Sequence, residues 1–134
     1  MHDLDKLILW CAEHDLLVWF NAERTEYDSD DEVVFLESYK CDGEMVFSLL
    51  HEIGHFIVQQ HDDYSTDYAD KLRSRIPAEY AAGVLREEVQ AWNRGYELAQ
   101  ALQLQIDSAA FWQLSARCLA EYQTELERFM KGTT

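Results

Sequence analysis

Met45-Val46-Phe47-Ser48-Leu49-Leu50-His51-Glu52-Ile53-Gly54-His55 runs an apolar segment straight into an HExxH pattern. On a helix, residues four apart share a face, so the imidazoles of His51 and His55 can reach one metal ion. Glu52 then stands on the open side of that ion, placed to deprotonate a water held there. The spacing predicts a helix over about Gly43–Gln60, with Asp42 as its cap. Val46, Leu49, Leu50, Ile53, Phe56 and Ile57 form one stripe. Phe47 and Val58 add apolar surface beside the histidines, so most of the circumference is apolar and the helix is largely buried. Two histidines and a glutamate in such a helix need partners, because an unsatisfied buried polar group costs about 1–3 kcal/mol. A metal ion supplies them. Gly54 costs roughly 1 kcal/mol against alanine inside a helix, which points to close packing at that position.

On the N-terminal side, Leu4, Leu7, Ile8 and Cys11 recur at helical spacing and predict a short amphipathic helix over residues 3–14. Leu16–Phe20 is an apolar run that suits a buried strand, and Val33–Leu36 is a second strand. Between them Asn21–Glu32 is polar. Its cluster of Asp28, Asp30, Asp31 and Glu32 lacks the spacing and the glycine of an EF-hand, and is expected to be a solvated loop. Ser38–Gly43 is expected to turn. On the C-terminal side, His61–Ser74 is charged and irregular. Pro77 suits the first turn of a helix reaching about Leu104. Asp107 or Ser108 can cap a last helix to about Met130, with Phe111, Leu114, Cys118, Tyr122 and Leu126 along it. The sum is an α+β domain, mainly helical, with a small sheet near its start.

A catalytic zinc site needs three protein ligands and an open position. His61 follows His55 by six residues, as in the HExxHxxGxxH pattern, but Val58 occupies the position where that pattern turns on glycine. On a continuing helix His61 is rotated about 240° from His55 and does not share its metal. Asp67 is a second candidate, with nothing diagnostic around it. Glu88 is the third. It falls inside the apolar stripe Ala81, Val84, Leu85, Ala91, Trp92, Gly95, Leu98, Ala99 and Leu102, where a carboxylate is costly unless a positive group meets it. An ion on His51 and His55 is that group; an arginine such as Arg73, Arg75 or Arg117 is the structural alternative. Glu87 lies at the stripe's edge, spaced to pair with Arg94 or solvent.

The 134 residues are 48% apolar and 13% aromatic, with one proline and five glycines, which fits one folded domain over 1–134 without a long linker. Three widely spaced cysteines without a CxxC read as free thiols of a reducing cytoplasm. The first residues lack the basic opening of a signal peptide, and no apolar run is long enough for a membrane span. A net charge of −15 disfavours nucleic acid and anionic membranes as direct partners and favours encounter with a basic protein.

An HExxH helix followed about 30 residues later by a helical Glu resembles the gluzincin zinc metallopeptidases. More narrowly, the chain resembles the ImmA/IrrE group over roughly residues 1–100. In that group apolar residues lead into HE(L/I)GH, here Met45–Leu50 into His51–His55. A Glu-x-x-Ala-Asn motif follows, here Glu88-Val89-Gln90-Ala91 with Trp92 in place of the Asn. The resemblance implies a zincin-like fold, a Zn2+ cofactor and peptide hydrolysis in the cytoplasm, with a basic DNA-binding regulator as the frequent target. With His51, His55 and Glu88 as ligands and Glu52 as the base, one more donor to the developing oxyanion is expected, from Tyr64, Tyr80 or His61. Two other classes stay open: a metal-bound domain without catalysis, and an acidic protein-interaction module.

Overall fold

A computed structural model describes residues 1–38, 42–60 and 77–132. In chain order it contains α1 (Asp3–Glu13), β1 (Leu17–Ala22), β2 (Glu26–Asp28), β3 (Val33–Glu37), α2 (Asp42–Gln60), α3 (Pro77–Ala101) and α4 (Ser108–Gly132). The fold is α+β and mainly helical, with a three-stranded sheet near the N-terminus.

The sheet has the order β1-β3-β2, with β1 parallel and β2 antiparallel to the central β3. Two expectations change here. Asn21–Glu32 is not loop throughout, since Glu26–Asp28 forms β2 and sets Tyr27 opposite Val34. No apolar run marks this strand; the Tyr27 ring, edge-on to Phe56 at 5.9 Å, ties it to α2. Asp28 closes the turn that follows, its Oδ1 accepting the amides of Asp30 and Asp31. The first strand, in turn, is not buried. It is an edge strand with one covered face, so Leu17 and Trp19 stand 66% and 65% exposed while Val18 and Phe20 turn inward.

The helices fall close to their predicted limits, and their ends have local causes. α1 stops where Asp15 takes a left-handed φ of 56°, its amide and that of Leu16 returning to the carbonyls of Ala12 and Cys11. α3 ends at Ala101, three residues before the predicted Leu104, in the same way. Gln103 has φ 55°, and the amides of Gln103 and Leu104 close on Gln100 and Ala99. Asp107 Oδ1 accepts the Ala110 amide and caps α4. The predicted cap on Asp42 lies outside the described side chains.

The core is built around α2. Leu49, Leu50 and Ile53 are fully buried among Leu7, Val34, Leu36, Trp92 and Phe111. The most extensive helix contact joins α2 to α3, and glycines allow it at two levels. A Cβ on Gly54 would lie 1.9 Å from the Ala91 carbonyl oxygen, and one on Gly95 would lie 2.6 Å from that of Leu50. The two backbones therefore touch directly beside the HExxH residues, as the placement of Gly54 had suggested. Among the described residues no helix is long and apolar enough to cross a membrane.

Candidate metal centre

With α2 and α3 in backbone contact, side chains one turn along must meet across the interface. His51 and His55 leave α2 on the face turned toward Glu87 and Glu88 of α3. His51 Nε2 lies 2.8 Å from Glu88 Oε2, and His55 Nε2 lies 3.1 Å from Glu88 Oε1. One carboxylate thus bridges the two Nε2 atoms. Glu88 is 5% exposed, as its place in the apolar stripe required, and both histidines hydrogen-bond it.

His51, Glu52 and His55 each offer a ligand atom within 4.8 Å of the others, a set able to hold a metal ion. The donors also fit zinc by chemical type, since the imidazole nitrogens of His51 and His55 lie together with the carboxylates of Glu52 and Glu88. Two orphaned buried atoms support the fit. Glu52 Oε2 and Glu87 Oε1 have no hydrogen-bond partner among the described residues. Leaving either group so costs about 1–3 kcal/mol unless an ion or a water completes it.

The electrostatics of the pair follow from this crowding. Burial alone would raise the Glu88 pKa, but hydrogen bonds from His51 and His55 outweigh it and hold the carboxyl down at about 2. Burial alone would lower His55, but its bonds to Glu87 and Glu88 carry it up to about 10. Without metal, then, His55 carries a proton at neutral pH, and an ion would take that proton's place. Glu52 is pushed above the usual carboxylate range, first by burial and further by Glu88 and Glu26, against the opposing pull of His51 and His55.

Glu87 corrects the sequence reading. It pairs neither with Arg94, which binds Glu97 at 3.0 Å, nor with solvent. Its Oε2 lies 3.2 Å from His55 Nδ1, so the ring is held through both nitrogens. Metal-ligating histidines characteristically donate their second N–H to a carboxylate in this manner. His51 is fixed differently, by Trp92, whose ring stacks on it at 4.1 Å and 9°.

Among the described residues, two clefts open beside Glu52. The larger, about 410 Å³, lies on the His51 side against Trp92 and α4. The smaller, about 190 Å³, lies on the His55 side next to Glu26 and Tyr27 of β2. Tyr122 of α4 lines both, a residue the sequence reading had placed only on the apolar stripe of the last helix. Its signal was a hydroxyl on an otherwise apolar stripe. Tyr80, one expected oxyanion donor, packs on Phe129 at 5.3 Å and lines neither cleft. His61, Tyr64 and Asp67 lie outside the described residues. A third cavity, about 450 Å³, sits near the starts of α1 and α2 and contains none of the HExxH residues.

No curated protein and no solved structure matches the chain. Residues 11–117 match Peptidase_M78, the IrrE N-terminal-like domain, a stretch that contains the HExxH helix, Glu87, Glu88 and Trp92. With that match spanning most of the sequence and a metal-competent His51-Glu52-His55 set at its centre, the chain belongs to the Peptidase_M78 family.

Proposed function

We propose that the chain acts as a single zinc metallopeptidase domain that hydrolyses peptide bonds, with His51, His55 and Glu88 as zinc ligands and Glu52 as the general base. The observation that carries this reading is the bridging of both imidazole Nε2 atoms by one buried carboxylate, at 2.8 and 3.1 Å. When bound there, zinc would supply a Lewis acid that lowers the pKa of a water to about 7 and polarises the scissile carbonyl.

The chain's own residues do the rest. Glu52 takes a proton from the attacking water as its oxygen bonds to the carbonyl carbon. Glu52 then gives that proton to the amide nitrogen as the C–N bond breaks, releasing a carboxylate and an amine. Burial raises Glu52's affinity for the proton, which suits a base that must hold it between the two transfers. Glu87 keeps the His55 ring oriented, and the Trp92 stack does so for His51.

Charge supports a basic protein substrate, such as a DNA-binding regulator. The net charge is −15, and Glu26, Glu121 and Glu125 line the clefts beside Glu52. Free thiols at Cys11 and Cys118 suit the reducing cytoplasm in which such a substrate would be met.

The test is Glu52→Gln with cleavage of a mixed peptide pool as the readout. The variant should retain one zinc per chain and lose at least about 100-fold in rate. Within the pool, basic peptides should be cut fastest. Wild-type rates from the variant would refute the role of Glu52, and preferred cutting of acidic peptides would remove the charge argument.

A further inference from the structure

Glu52 and Tyr122 are the two described residues that line both clefts. The Tyr122 ring therefore stands at the divide between them, on the side of α4, while Glu52 occupies the side of α2. Its place follows from the helix: Cys118 and Leu126 lie four residues to either side, Leu126 is buried, and Cys118 lines the larger cleft. Tyr122 and Glu88, the carboxylate that bridges His51 and His55, line the same smaller cleft. A phenol is thus brought to the cleft that Glu52, His55 and Glu88 line.

We propose that Tyr122 is a further catalytic residue, donating its O–H to the scissile carbonyl oxygen as that oxygen gains negative charge. The inference rests on the peptidase reading above. No covalent bond to Tyr122 forms or breaks. The phenol directs its O–H at the oxyanion, a contact that strengthens only as charge develops and so accelerates the step. Among the described residues Tyr27 is the other phenol lining a cleft beside Glu52, but it lines only the smaller one and is packed edge-on against Phe56. Tyr122 lies beyond the stretch matched to the family, so the last helix brings a group to the reaction that the shared residues 11–117 do not contain.

The experiment compares zinc-loaded wild type with Tyr122→Phe. Zinc content and melting temperature should be unchanged, and KM for the best-cut peptide of the mixed pool should stay within about threefold. Its kcat should fall by about 10²–10³, the usual effect of losing one oxyanion donor. A phosphinic analogue of that peptide, titrated by calorimetry, should lose affinity by the same factor as kcat/KM. A purely structural tyrosine would move zinc content or melting temperature and leave phosphinate affinity tracking KM. An unchanged kcat, or a loss that matches lost zinc, overturns the proposal while the peptidase reading stands. A zinc-loaded wild type that cuts nothing overturns both.

Discussion

At the scale of single residues, the site depends on how each imidazole is held. His55 uses both ring nitrogens on carboxylates, Nδ1 on Glu87 and Nε2 on Glu88. Glu87→Gln keeps a hydrogen-bond acceptor but removes a charge from the ring, and should weaken zinc binding by about 10–100-fold, read by competition with a chromophoric chelator. An unchanged affinity would make Glu87 a bystander. Glu88 was legible in the sequence because a lone carboxylate inside an apolar stripe demands a positive partner. Glu87 was not. One position away on the helix, its partner depends on where α3 crosses α2, and periodicity does not give a crossing point. Tyr122 was hidden for the same reason: the stripe placed it inward, but only packing shows which side chains it meets.

At the scale of elements, the contact between α2 and α3 sets the distance between the imidazoles of His51 and His55 and the carboxylate of Glu88. Gly54→Ala brings a Cβ to within 1.9 Å of backbone at Ala91, which rotamer changes cannot relieve, so the helices must part. The usual gain of about 1 kcal/mol from alanine in a helix is then reversed. Chemical denaturation should show a net loss of about 3 kcal/mol or more, with weaker zinc binding as His55 moves away from Glu88. A variant as stable as wild type would contradict direct backbone contact between α2 and α3 at Gly54. The four described helices were legible because their apolar positions repeat every three to four residues over long spans. β2 was not, since its three residues are held by pairing with β3 and by the Tyr27–Phe56 contact, both tertiary. The exposure of β1 escaped for a related reason: an apolar run does not say whether a strand lies at the centre or the edge of its sheet.

At the scale of the whole molecule, the sheet, α1 and α4 enclose one helix pair, and the charged chemistry lies along that pair's line of contact. The direct test of this arrangement is the zinc content of purified wild type, His51→Ala and Glu88→Ala, by elemental analysis after exhaustive dialysis. If His51, His55 and Glu88 grip one ion, wild type retains one zinc per chain and both variants retain almost none. A full equivalent of zinc in Glu88→Ala, or none in wild type, would contradict the shared grip of α2 and α3 on a metal.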